Sequence, residues 1–293
     1  MEMNRYGHSV YDYASLRGPA TPLSRETAAV REAPSLVVGE DPTPPALTQI
    51  VRVPLRAGST PEWRQWSAIH FPPAVNRNSR SIDVILYLHG HRTAIPGTQR
   101  SIWAYLKHKC WPLREHLAAS GKAAVLIAPT LGPRSECGTL LARDGLDRYL
   151  DGVLAASRGY WSGGATPAIR HLILAGHSGA GAPMRTLASS GNRYAAQIKE
   201  VWGFDCTYSA MNDVDAKGWA TWARNAPQSR LFIYYLVGAP TQNQAEKLRD
   251  RAKPPNVSVM SSKAPKRDGI HPHYWVPIQH WGERITASPY LRS

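Results

Sequence analysis

No apolar run in this sequence approaches the ~20 residues that a membrane span needs. The opening stretch MEMNRYGHSVYDYASLRG also lacks the apolar core of a secretory signal. Both absences make a cytoplasmic location the default expectation, with signal-independent export left open. Cysteine is scarce: it stands only at 110, 137 and 206, an odd number with no CxxC pair. A disulfide framework or zinc ribbon is therefore disfavoured, and free thiols are expected. Acidic residues are short too, 21 against 35 Lys and Arg, for a net charge of +14. The first 46 residues are net −2, so the remainder carries +16. Such a surface attracts anions at low salt. The basic residues are nonetheless scattered, as in KHK at 107–109 and KAPKR at 263–267. No helix bears a continuous basic stripe and no nucleic-acid motif is present, so a nucleic-acid partner is not favoured.

What is there points to a globular α/β protein. The chain has 293 residues, 43% of them hydrophobic and 19% charged, enough to bury a sizeable core. Residues 1–46 hold six prolines and no sustained apolar period, which predicts an N-terminal extension before a domain over 47–293. No internal repeat is visible. LTQIVRVPL (47–55) and QWSAIHFPP (65–73) alternate as half-exposed strands do. IDVILYLHG (82–90), KAAVLIAPT (122–130), RHLILAG (170–176), IKEVWGFD (198–205), RLFIYYLVG (230–238) and NVSVM (256–260) read as buried strands. Helical patterns fall between them, for example over 144–157, where Leu146, Leu150, Val153 and Leu154 share a face. This alternation predicts a mostly parallel central sheet flanked by helices. In such sheets ligands bind beyond the carboxyl ends of the strands.

One of those ends reads LILAGHSGAGA (172–182). Gly176-His177-Ser178-Gly179-Ala180 follows a buried strand and opens a helix. It resembles the nucleophile elbow of the α/β-hydrolase superfamily, G-x-S-x-G, with Ala180 in place of the last glycine. The sharp turn that lifts a serine hydroxyl above a sheet brings the flanking positions close together, so both must be small. The resemblance covers residues 47–293 and implies a single α/β-hydrolase domain. It implies Ser178 as nucleophile, and an oxyanion hole from the backbone N–H groups of Gly179 and His91, in the loop YLHGHR (87–92), with Arg92 as the alternative to His91. The side chain of His89 is expected to bond nearby backbone.

The base is expected after the last strand, where His271, His273 and His280 stand. His273 is favoured, His271 is second, and His280 is expected inside a helix. The His-x-His spacing also fits a metal pair, but no third ligand at sensible spacing is visible, so neither a metal nor a cofactor is expected. The acid usually follows the second strand after the nucleophile. That segment, LVGAPTQNQAE (236–246), has no carboxylate near the strand end, and Glu246 reads as a helix-face charge. Asp205 ends the intervening strand and keeps the order Ser178, Asp205, His273. Asp213, Asp215 and Asp268 are alternatives. Gly90, Thr130, His177, Trp219 and Trp222 are candidate substrate contacts, although a Trp pair three apart also suits docking on a sheet. Trp103, Trp111, Trp161 and Trp275 are further aromatics for a rim or a core. The implied activity is hydrolysis of a small-molecule carboxylic ester through an acyl-enzyme. Amide or peptide bonds are the alternative, and a non-catalytic binding protein of the same fold the third possibility. Oligomeric state is not indicated.

Overall fold

A computed structural model describes residues 37–41, 47–53, 55, 66–91, 113–132, 135–208, 213–251, 255–263 and 271–293. All of these lie in one compact unit, Pro34–Ser293. Most of the expected extension, the helical pattern at 99–109, Arg92, Trp103, Trp111 and Asp268 lie outside the described residues.

The sheet has nine strands: β1 (Val37–Asp41), β2 (Leu47–Arg52), β3 (Trp66–Phe71), β4 (Ser81–Leu88), β5 (Ala124–Pro129), β6 (Ala168–His177), β7 (Ile198–Phe204), β8 (Arg230–Leu236) and β9 (Val257–Ser262). Their spatial order is β1-β2-β3-β5-β4-β6-β7-β8-β9. β1, β2, β3 and β5 pair antiparallel in succession, and every pair from β5 through β9 is parallel. Eight of the nine match the apolar runs of the sequence. β1 is the additional strand; its register against β2 shifts between Val37 and Gly39.

Among the described residues, six helices cover the sheet: α1 (Leu113–Ala119), α2 (Gly145–Ala156), α3 (Gly181–Ser189), α4 (Val214–Asn225), α5 (Thr241–Arg251) and α6 (Pro272–Ala287). The central strands are apolar on both faces because both are covered. Val84, Leu86 and Leu88 of β4 and Leu172 and Leu174 of β6 join the apolar layer formed with α2, α3, α4 and α5. Ile85, Tyr87, Ile173 and Ala175, one residue out of phase, join the layer formed with α1 and α6. That two-residue period places consecutive residues on opposite faces, while the parallel pairing from β5 through β9 brings the strand ends out along one rim. Among the described residues, no helix is long and apolar enough to cross a membrane.

Candidate active site

β6 runs to His177 in extended backbone and then turns sharply at Ser178, which adopts φ +57. A non-glycine residue there is strained, and such strain gathers at functional sites. The small neighbours have specific causes. A Cβ on Gly176 would stand 3.0 Å from the Ala180 methyl and 3.3 Å from Met184 Sδ. Ala180 therefore fits because the position facing it carries only hydrogen. A Cβ on Gly181 would stand 1.9 Å from the carbonyl oxygen of Cys206, so the start of α3 runs directly against the loop that follows β7. A Cβ on Gly90 would stand 2.5 Å from Ser178 Cβ and 3.2 Å from its Oγ. One on Gly179 would stand 2.2 Å from the His91 ring. Glycine at 90 and 179 lets the loop after β4 lie on the elbow.

His89 braces that loop. Its Nδ1–H donates to the carbonyl of Gly90 at 2.8 Å, and its Nε2 accepts from the Leu131 N–H at 2.9 Å. A carbonyl can only accept, so the ring is the Nδ1–H tautomer, and it ties the end of β4 to the end of β5.

The acid and base come from elements far apart in sequence. Asp205 follows β7 with φ +48 and is buried. His273 lies in the first turn of α6. Its Nδ1–H donates to Asp205 Oδ2 at 2.5 Å. The other carboxylate oxygen accepts from the Leu236 N–H at 3.1 Å and from the Thr241 hydroxyl. Burial would disfavour this carboxylate unless such donors satisfied it. A ring that carries its proton on Nδ1 presents Nε2 as an acceptor. The Tyr208 hydroxyl lies 3.3 Å from Nε2. The imidazole of His177, the residue before Ser178, lies against that of His273 with ring centroids 4.2 Å apart. The His177 Nε2–H donates to the His273 carbonyl at 3.3 Å. Burial, and then the neighbouring His273, hold the His177 pKa well below its ordinary value.

The remaining candidates are placed as follows. His271 caps α6, its Nδ1 accepting from the His273 N–H at 3.3 Å. His280 lies within α6, bonded to Ser262 Oγ at 2.7 Å and stacked on Tyr234. Asp213 is held by Lys247 and Arg251, which lower its pKa to about 2, and Asp215 pairs with Arg185. Glu246 accepts from Tyr235 and Gln242 along α5. Among the described residues, no three His, Cys, Asp or Glu side chains are grouped as a metal site would need. Cys206, next to Asp205, is buried, and its thiol is pushed well above its ordinary pKa by that burial and by nearby carboxylates, so it is no thiolate nucleophile.

Four of the expected substrate contacts, Trp219, Trp222, His177 and Thr130, are buried. Trp219 and Trp222 sit on α4 with ring centroids 5.8 Å apart. Trp219 is 0% exposed, and Trp222 Nε1–H donates to the Ala188 carbonyl of α3 at 3.0 Å. They dock α4 onto α3, because a lip over a ligand needs a face open to it. His177 is likewise buried and turned toward His273 rather than outward. Thr130 is buried at the end of β5, and its Oγ1 has no hydrogen-bond partner among the described residues. Trp161 packs against Phe71 and Tyr160 in the core, and Trp275 is half-buried on α6. Ser135 belongs to no motif of the sequence. It adopts φ +61, is buried, and its Oγ stands 3.0 Å from where a Gly179 Cβ would be. Only the loop composition of residues 128–145 marks its neighbourhood in the sequence.

No family model matches the chain, and no curated protein matches its sequence. Solved structures match its fold. One is an S-formylglutathione hydrolase from Agrobacterium tumefaciens, 10% identical, with 85% of this chain and 97% of that one covered at a TM-score of 0.55. Another is FphF, a fluorophosphonate-binding serine hydrolase from Staphylococcus aureus, 11% identical, with 83% and 98% covered at a TM-score of 0.51. Together with the sheet order, these place the chain in the α/β-hydrolase fold.

Proposed function

We propose that the protein is a serine hydrolase that cleaves carboxylic esters through an acyl-enzyme. The observation that carries the proposal is the buried Asp205–His273 pair, set against the residue that precedes a strained serine. In this reading Ser178 Oγ attacks the ester carbonyl while its proton passes to His273 Nε2. Asp205 keeps the proton of the ring on Nδ1 and stabilises the imidazolium that forms. The backbone N–H groups of Gly179 and His91 bind the oxyanion. Collapse of the tetrahedral intermediate breaks the bond to the alkoxy group, which leaves as an alcohol with the proton from His273. Water, deprotonated by the same Nε2, then releases the acid and restores Ser178. The two structures of similar fold are named as hydrolases, which accords with this chemistry.

The test is labelling with a fluorophosphonate probe alongside hydrolysis of p-nitrophenyl esters of increasing acyl length. Ser178→Ala is expected to lose both labelling and turnover, and His273→Ala to lose turnover with greatly reduced labelling. Turnover that survives Ser178→Ala would overturn the proposal.

A further inference from the structure

We infer that Ser135 is a further catalytic residue, its hydroxyl donating a third hydrogen bond to the oxyanion; this rests on the reading of Ser178 as nucleophile. Ser135 belongs to a tight turn after β5. Its N–H donates to the Gly132 carbonyl at 2.9 Å, and the Gly132 N–H donates to the Glu136 carbonyl at 2.9 Å. The turn faces the elbow, since Ser135 Oγ stands 3.0 Å from where a Cβ on Gly179 would be. The His91 ring occupies the same space and the hydroxyl is buried, so the ring must move aside for a substrate oxygen to reach it. The hydroxyl thus lies beside the two residues whose N–H groups are assigned to the oxyanion.

Ser135 is 1% exposed, yet its Oγ has no hydrogen-bond partner among the described residues. A buried hydroxyl without a partner is unfavourable, and native proteins rarely retain one. The backbone adds a second unfavourable feature, φ +61 at a residue with a side chain. Glycine would relieve both. Packing cannot explain the choice of serine, because alanine would fill nearly the same volume without the unpaired oxygen. A donor held ready for an oxygen that carries charge only in the transition state explains both features. A hydroxyl proton rotates freely, so it can be directed at that oxygen once it forms.

The test is steady-state hydrolysis of p-nitrophenyl acetate by the full chain carrying Ser135→Ala or Ser135→Gly. Glycine tolerates the left-handed turn, so it serves if the alanine variant does not fold. Inhibition by an aryl trifluoromethyl ketone, which forms an oxyanion adduct with a serine, and the melting temperature are measured in parallel. The expected result is kcat lower by about 100-fold, the size of one lost oxyanion donor, with little change in KM. The inhibition constant rises by a similar factor, and the melting temperature holds or increases. Wild-type kcat and inhibition in both variants would overturn the inference, as would losses that track a lower melting temperature in both. Ser178→Ala separates the two levels. If it keeps turnover, the nucleophile assignment fails. If it loses turnover while both Ser135 variants keep it, only the role of Ser135 fails.

Discussion

Two buried carboxylates, at opposite ends of the sheet, meet nearly the same needs in different ways. Asp83, near the start of β4, accepts from Arg170 Nε at 2.8 Å and from the Arg292 N–H at 3.2 Å, with His171 Nδ1 3.2 Å away. Asp205, at the end of β7, accepts from His273, the Leu236 N–H and the Thr241 hydroxyl. Each is 1% exposed. Asp83 pairs with Ala124 and His171, at a point where the β4–β6 register shifts between Ile82 and Asp83. Its main partner is a permanent cation, and Asp83 is not among the described residues with a left-handed backbone. Asp205 has a left-handed backbone, and its histidine abuts the elbow. Burial and ion pairing alone therefore do not mark a catalytic carboxylate. The left-handed backbone of Asp205 and the contact of its histidine with the elbow are what separate the two, and they underlie the acid role proposed for Asp205.

Matched substitutions break this comparison most sharply. Asp205→Asn is expected to lower kcat on p-nitrophenyl acetate by about 10⁴-fold, because the amide no longer enforces the Nδ1–H tautomer. Its urea midpoint stays close to that of the parent. Near-full activity in that variant would rule out Asp205 as the acid. Asp83→Asn is expected to do the reverse: activity per folded molecule is kept, and urea unfolding shows a loss of roughly 2 kcal/mol. The figure lies below that for breaking a fully buried pair because Arg170 reaches solvent.

The two regions also differ in how far the sequence reveals them. The apolar runs at β4 through β8 are unambiguous because strands buried on both faces need no polar alternation. Ser178 is legible because the elbow imposes a small-residue pattern, and the Asp205–His273 contact follows from knowing which strand ends share the rim. β1 is hidden: five residues, a glycine and a register shift erase its alternation, and prolines surround it. Ser135 is hidden because a serine in a loop does not announce a left-handed backbone. Trp219 and Trp222 show the reverse difficulty. Helical spacing places them on one face, but only the packing of α4 on α3 says which way that face points.

Smaller effects sharpen the contrast at the rim itself. Gly90→Ala would set a methyl 2.5 Å from Ser178 Cβ and displace the serine. A loss of about 10²-fold in kcat/KM is expected from such a shift, read against unchanged far-ultraviolet circular dichroism. The smallest effect concerns pH. The folded pKa of His177 lies below the ordinary 6.5 through burial and the nearby His273, so the unfolded chain takes up the proton first as pH falls. Stability from this group is complete above pH 6.5 and declines below it, by up to ~1.4 kcal/mol for each pH unit down to the folded pKa. Melting temperatures between pH 7.5 and 5 are expected to fall less steeply in His177→Gln than in the parent. Parallel slopes would show that the imidazole titrates as it does in the unfolded chain.

The bonds from Asp205 to the Leu236 N–H and the Thr241 hydroxyl have an evolutionary corollary. The carboxylate springs from one strand but rests on the turn that follows the next. The turn thus already stands within hydrogen-bond reach of the proposed acid, so the setting of that carboxylate is shared between neighbouring strands. A lineage could move the acid by passing through a form with two carboxylates, without disturbing the serine or the histidine.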